Sequence, residues 1–208
     1  PNNPTGTYIN KETLSNLRAK LPDRILLIID AAYAEYVDKY DYESGVEIVH
    51  KTDNTVMTRT FSKIHGLASL RLGWCYAHSN ILSVVGRIRS PFNVSGVAQV
   101  AGEAAIRDKL FQSKVISHNK KWHEILNENL SKIGFYLTGT EGNFICLGKT
   151  DKIKITMDEI DIFLRKHNII TRKMNFFGLP NHLRVTIGKD SEMEKFLMLI
   201  NEGIKSPK

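Results

Sequence analysis

Leu14, Leu17 and Leu21 recur at helical spacing between Asn10, a side chain suited to an N-cap, and Pro22, which cannot continue a helix, so the pattern predicts a short surface helix over Asn10–Leu21. From Arg24 to Asp30 (RILLIID) the polar face disappears. A bare aliphatic run closed by an acid predicts a parallel strand covered on both faces, with Asp30 carried into a crevice at its carboxyl end. Asn54–Thr60 and Leu72–Ala77, rich in β-branched or aromatic residues, read as two more strands, and Ile81–Ile88 reads as a helix that ends before Ser90-Pro91. Alternation of this kind predicts an α/β layer with a mostly parallel sheet. Ser95 to Ser131 is Ala-rich and free of proline, and predicts one or two long helices. After Gly134 the texture changes to a compact α+β pattern: strands at Phe135–Leu137 and Asn143–Leu147 around a Gly139–Gly142 turn, a helix at Met157–His167, strands at Ile169–Arg172 and Leu183–Ile187, and a helix at Ser191–Ile200. The expected organisation is therefore a layered domain over 1–94, connecting helices over 95–133, and a small C-terminal domain over 134–208.

Composition narrows the classes. With 208 residues, 42% hydrophobic and 25% charged, the chain has ordinary globular composition, which excludes disordered and fibrous classes. Its longest aliphatic run, Ile25–Ile29, is far below the roughly 20 apolar residues of a membrane span. The start at Pro1-Asn2-Asn3-Pro4, without methionine or a basic, apolar leader, reads as a processed chain or a fragment. Cys75 and Cys146 lie far apart without metal spacing, as buried thiols of a reducing compartment do, so a cytoplasmic location is expected and no metal site. The net charge of +7 is concentrated after residue 104, where 18 Lys+Arg face 12 Asp+Glu. These cations are scattered singly along helical patterns, without a basic stripe interleaved with aromatics, so nucleic acid is not the expected partner. Small anionic substrates are compatible with this charge.

Four groups of residues carry candidate chemistry. Pro1 to Gly6 (PNNPTG) is a loop stiffened by two prolines, which holds its Asn amides or simply makes a turn. Asp30 and Tyr33 place an acid and a phenol where open α/β sheets bind ligands, although Asp30 could equally cap a following helix. Thr60, Ser62, Lys63 and Arg71 bring hydroxyls, an amine and a guanidinium to the loop after a strand, a set suited to a phosphate dianion and to an amine nucleophile. The bland alternative is a solvated lysine. Arg172 and Arg184 end or centre two strands of the C-terminal part, and an arginine inside Leu183-Arg184-Val185-Thr186-Ile187 needs an anion, from a ligand or from the protein. His65 fits packing or a local hydrogen bond, and Tyr36, Met57 and Trp74 fit core.

In order, spacing and residue type these groups resemble the fold type I, class I/II aminotransferases that use pyridoxal 5'-phosphate. The family's Asn-Pro-Thr-Gly loop looks like Asn3–Gly6, its Asp-x-x-Tyr like Asp30 and Tyr33, its Ser-Lys with an arginine eight residues on like Ser62, Lys63 and Arg71, and its C-terminal arginine like Arg184. The wording of RTFSK, LRLG and LRVTIG is most similar to the histidinol-phosphate aminotransferase branch. The resemblance implies a large cofactor-binding domain plus a small α+β domain, and a homodimer. It implies that Lys63 bonds covalently to the cofactor and shuttles a proton, that Asp30 pairs with the ring nitrogen, and that Tyr33 and Asn3 hydrogen-bond the ring oxygen. Thr60, Ser62 and Arg71 would hold the cofactor phosphate, Arg184 the substrate carboxylate, and Arg172 a substrate phosphate. Histidinol phosphate or a related amino acid is the implied donor and 2-oxoglutarate the acceptor. Aspartate or aromatic aminotransferases and a phosphothreonine decarboxylase share the pattern, and a catalytically silent piece is the rival of another class. The resemblance runs from Pro1 to about Gly203 and corresponds to the later part of the family's chain, so open sheet edges and bare apolar faces are expected.

Overall fold

A computed structural model describes residues 1–205. The chain forms two units, one of Pro1 and Tyr8–Ile116, the other of Asn2–Thr7 with the chain from Ser117 onward.

In the first unit, α1 (Lys11–Lys20) starts where the Asn10 side chain accepts the Thr13 N–H at 2.8 Å, and buries Leu14. β1 (Leu27–Asp30) runs parallel to β2 (Thr55–Thr60), with Asp30 opposite Thr58, and β2 pairs antiparallel with β3 (Gly73–Ala77). The α/β class therefore holds, with one parallel and one antiparallel pair in this three-stranded sheet. β1 departs from expectation. It begins at Leu27 because the Ile25 N–H turns back to the Pro22 carbonyl, and the buried Arg18 guanidinium clasps that turn through the Ile25 and Leu21 carbonyls at 3.0 and 2.7 Å. Nor is it covered on both faces. β2 is its only ladder partner among the described residues, and Ile28 is 61% exposed, because side chains project from the faces of a sheet and Ile28 projects from one left uncovered among the described residues.

The small core of this unit gathers Ala31, Ala34, Val49 and Met57 under Tyr42, Val46 and Tyr76. Val49 comes from α2 (Val46–Lys51), a helix that periodicity does not reveal because it is six residues long. Glu43 starts it, its carboxylate accepting the Gly45 and Glu47 N–H groups at 2.8 and 3.1 Å. α3 (Ser79–Ile88) buries none of its residues, and Leu82, Val85 and Ile88 stand exposed, as bare apolar faces were expected to. The long Ala-rich stretch is two helices, α4 (Gly96–Arg107) and α5 (Lys109–Lys132). Asp108 divides them: its carboxylate accepts the Phe111 N–H at 2.9 Å and so starts a new helix.

In the second unit β4 (Phe135–Leu137), β5 (Phe144–Lys149), β6 (Arg172–Lys173) and β7 (His182–Thr186) form an antiparallel sheet in the order β4-β5-β7-β6. One face carries the main core, where Leu126 and Leu130 of α5 meet Ile160 and Leu164 of α6 (Met157–Lys166) and Phe196 of α7 (Asp190–Lys205). Each such side chain contributes roughly 1.5–3 kcal/mol on burial. A reciprocal Thr156–Glu159 capping box opens α6. Asn168, at φ 62°, closes it: the Asn168 N–H reaches the Arg165 carbonyl and the Ile169 N–H the Leu164 carbonyl, the Schellman pattern. That wrap is why Ile169–Thr171 is not strand, contrary to the expected Ile169–Arg172, and why β6 is limited to Arg172–Lys173. Cys146 is buried, Cys75 half-buried, and both are free thiols. Among the described residues no helix is long and apolar enough to cross a membrane.

Candidate functional site

Because β1 and β2 run parallel, their carboxyl ends lie at one edge of the sheet, the edge at which open α/β sheets bind ligands. Asp30 ends β1 exposed, and its Oδ1 accepts the Ala32 N–H at 3.1 Å, so it closes a local turn and caps no helix; the 3-10 turn at Ala34–Tyr36 has no side-chain cap. That turn buries Tyr33. After β2 the chain folds into a loop pinned by the Phe61 N–H to the Leu72 carbonyl, the Gly66 N–H to the Lys63 carbonyl and the Leu67 N–H to the Phe61 carbonyl, at 2.9–3.0 Å. Phe61 and Ile64 are the buried pegs of this loop, and Ser62 and Lys63 lie half-buried between them. Lys63 Nζ stands 5.1 Å from the Tyr33 ring centroid and forms no ion pair among the described residues. Thr60 Oγ1 accepts the Ser62 N–H at 3.0 Å, which fixes both hydroxyl-bearing residues at the start of the loop. Arg71 is exposed, in the left-handed region at φ 53°, a conformation that costs a non-glycine residue about 1 kcal/mol, and its guanidinium donates to the Ala68 carbonyl at 2.7 Å.

A pair that sequence reasoning missed braces this edge. Glu35, two residues after Tyr33, meets the Arg59 guanidinium of β2 at 2.8 Å, with about a fifth of each side chain exposed. Arg59 Cζ also lies 5.8 Å from the Trp74 ring centroid, and Trp74 is exposed, not core. The adjacency of Arg59 to Thr60 was the only local signal. Burial, joined by the neighbouring Glu35, raises the Tyr36 hydroxyl above its ordinary value; Tyr42 is pushed up to about 12, chiefly by burial, with Arg59 opposing. His65 stacks on Phe61 at 4.8 Å, and burial lowers its pKa, which agrees with a packing role.

The second unit holds Asn3, Arg172 and Arg184. The Asn2–Thr7 loop closes on itself through the Asn2 N–H to the Thr7 carbonyl and the Gly6 N–H to the Asn2 carbonyl, at 2.7 and 2.9 Å, and its Asn3–Pro4 bond is cis. It docks where the Glu141 N–H donates to the Gly6 carbonyl at 2.9 Å and the Thr138 hydroxyl to the Thr5 carbonyl. Asn3 thereby presents its side-chain oxygen to Arg184 Nη1 at 2.7 Å, so Asn3 joins the arginine group. Arg184, in the middle of β7, lies with Cζ 5.3 Å from the Phe144 ring centroid. Arg172 is its ladder partner on β6. Like charges directly opposite on adjacent strands repel, and a shared anion relieves that repulsion. Both arginines border a cavity of about 550 Å³ that also takes in Thr171, Thr186, Glu192 and Lys195. A larger cavity of the first unit, about 640 Å³, lies among Arg18, Asp23, Lys51 and Asn54 and touches none of the candidate residues.

Residues 1–200 match the family model described as aminotransferase class I and II. The chain belongs to that family. It is 47% identical over 205 residues to a histidinol-phosphate aminotransferase of Rhodopseudomonas palustris, across 99% of this chain and 55% of that protein. Among solved structures it superposes at a TM-score of 0.90 on histidinol-phosphate aminotransferase from Sinorhizobium meliloti in complex with pyridoxal-5'-phosphate, with 24% identity over 100% of this chain and 56% of the other. It superposes at 0.79 on L-threonine-O-3-phosphate decarboxylase from Porphyromonas gingivalis, with 20% identity over 99% and 63%. The chain thus spans about half the length of the curated relatives it matches.

Proposed function

We propose that this chain supplies the lysine-bearing and arginine-bearing parts of a pyridoxal-phosphate-dependent aminotransferase that passes the amino group of histidinol phosphate, or a related amino acid, to 2-oxoglutarate. The observation that carries this reading is Lys63: a half-buried amine over a buried phenol, without a carboxylate partner among the described residues, at the sheet edge where Asp30 also ends. An amine kept out of ion pairs is open to covalent attachment. The residues present fit the cofactor, because hydroxyls at Thr60 and Ser62, the Arg71 guanidinium and an exposed carboxylate at Asp30 match the donors and the acceptor that a phosphorylated pyridine requires. When bound, pyridoxal phosphate supplies an electron-withdrawing ring and a carrier for the amino group.

The chain's own residues then divide the work. Lys63 supplies the attaching amine and moves a proton at Nζ. Asp30 would hold a proton on the ring nitrogen by accepting its N–H, Tyr33 would donate to the ring oxygen, as would the Asn3 amide by the family resemblance, and Thr60, Ser62 and Arg71 would donate to the cofactor phosphate. Arg184 takes the carboxylate of the oxo acid or amino acid in a paired N–H grip, and Arg172 takes the phosphate of the donor. The opposed arginine pair favours a phosphate-bearing donor over aspartate or an aromatic amino acid. That feature also suits a phosphothreonine decarboxylase, and a product assay separates the two, since only transamination yields glutamate from 2-oxoglutarate. A cytoplasmic homodimer goes with the same reading.

The test is borohydride trapping of the pyridoxal-phosphate-treated gene product, followed by peptide mapping. The tag is expected on Lys63 and lost in Lys63→Ala. A tag on another lysine, or a protein that stays colourless after the cofactor is added, refutes the assignment and favours a catalytically silent piece.

A further inference from the structure

Arg172 belongs to the shortest strand of its sheet, two residues at an edge with a single ladder neighbour. Such a strand is poorly held by its own hydrogen bonds. Both neighbours of Arg172, however, are tied to α6. Thr171 is buried, and its hydroxyl donates to Oδ1 of Asp161, a carboxylate only 1% exposed. The other oxygen of Asp161 accepts Arg165 Nε at 2.7 Å, and Arg165 Nη2 donates to the Thr171 carbonyl at 2.8 Å. On the far side Lys173 Nζ meets Asp158 at 2.8 Å.

A carboxylate buried this far is tolerated only when paired and hydrogen-bonded, and here both oxygens are used. The network is not needed to end α6, which its Schellman closure at Asn168 already does. Its effect falls on Thr171. That residue is gripped at hydroxyl and carbonyl, and the carbonyl shares one planar peptide with the Arg172 nitrogen, so the grip sets the plane from which the Arg172 side chain departs. The Arg172 guanidinium itself lies 5.3 Å from the Phe177 ring centroid.

Resting on the reading of Arg172 as the phosphate contact, we infer that Thr171 and Arg165 are positioning residues: anchored by Asp161, they orient Arg172 and so set the affinity for the phosphate of the amino donor. Arg184 sits on β7, which β5 also pairs from Phe144 to Gly148, so its strand does not rest on β6 alone.

The experiment compares Thr171→Val, Arg165→Gln and Arg172→Ala in the cofactor-loaded gene product. Arg165 is half-exposed, so its variant keeps the test readable if Thr171→Val does not fold. Each positioning variant is expected to raise the KM for histidinol phosphate about tenfold, roughly 1.4 kcal/mol, with kcat and the KM for 2-oxoglutarate within twofold. The Kd for inorganic phosphate, titrated into the cofactor-loaded protein so that the Thr60, Ser62 and Arg71 site is filled, is expected to rise by the same factor. If Arg172→Ala raises the donor KM while the other two leave it unchanged, the positioning role is overturned and the phosphate-contact reading stands. If Arg172→Ala also changes nothing, both fall. An equal rise in both KM values marks the network as general scaffold and likewise overturns the inference.

Discussion

Replacing Gly139 by alanine tests how the Asn2–Thr7 loop is seated in the second unit. A Cβ at Gly139 falls 2.4 Å from the Gly6 carbonyl group and 2.6 Å from the Thr7 nitrogen. These are backbone atoms, so no side chain can swing aside. Ordinary contact begins at 3.4 Å, and the loop must therefore retreat by about 1 Å. Such a shift breaks the Glu141 N–H bond to the Gly6 carbonyl and the Thr138 bond to the Thr5 carbonyl. At about 0.5–1.5 kcal/mol each these losses sum to roughly 1–3 kcal/mol. Weakening of the charge-assisted Asn3–Arg184 bond adds about 1 kcal/mol, while the stiffer unfolded chain returns about 0.4–1 kcal/mol. The expected net destabilisation is about 1–3.5 kcal/mol. Urea unfolding followed through the buried Trp122 measures it, with the parent protein run alongside. A Gly139→Ala variant within about 0.5 kcal/mol of the parent would show that the two backbones do not meet as described.

Further expectations follow from the cores and the charged groups. Leu126→Ala, which removes a fully buried side chain from the second unit, should destabilise it by about 2–5 kcal/mol in the same assay; a loss under 1 kcal/mol refutes that core. Arg59→Met strands Glu35 in a partly buried position and should cost about 1–3 kcal/mol, less than for a fully buried pair because solvent screens a fifth of each side chain; thermal unfolding measures it. Burial lowers the His123 pKa from its ordinary 6.5, so the unfolded chain takes up a proton that the folded chain refuses. Its contribution to stability is full above pH 6.5 and is lost as pH falls from there toward the lower folded value. His123→Gln, which can still donate to the Gly142 carbonyl, should flatten the decline between pH 7 and 5, and an unchanged slope refutes this. Hydrogen bonds from Lys121 and Trp122, then the charges of Lys121 and His118, hold Asp190 below its usual value. Its contribution is present above pH 3.8 and lost in stronger acid, so Asp190→Asn should narrow the stability gap between pH 6 and 3.

Much of the secondary structure was legible because its causes are local. The Asn10 cap and Pro22 stop bound α1, and the Ala-rich periodicity marks one or two long helices from Ser95 to Ser131, which the structure divides at Asp108. Where the reading failed, a distant contact or a short element had decided the outcome. The aliphatic run at Arg24–Asp30 looks fully covered in sequence, yet coverage depends on what packs over each face of the sheet, and Ile28 stands 61% exposed. Val46–Lys51 is too short for periodicity to register. Ile169–Thr171 has strand-like composition, but Asn168 in the left-handed region sends it around the end of α6. The candidate chemistry at Lys63, Asp30 and Tyr33 could be named from spacing alone, whereas Glu35–Arg59 could not, since 24 residues separate the partners.

Capping and periodicity along the chain were by themselves enough to determine the α/β class, because they depend on neighbours a few positions away, while the family and the candidate residues came from the resemblance of short motifs at Asn3–Gly6, Asp30–Tyr33, Ser62–Arg71 and Arg184. Only the folded chain decided that Asn3 answers Arg184 across 181 residues, that Arg172 stands opposite Arg184, and that the buried Asp161 is satisfied by Thr171 and Arg165. Those pairings arise from packing, which brings together groups whose separation in sequence carries no signal, and a buried charge or backbone contact must then be matched by whatever the fold places beside it.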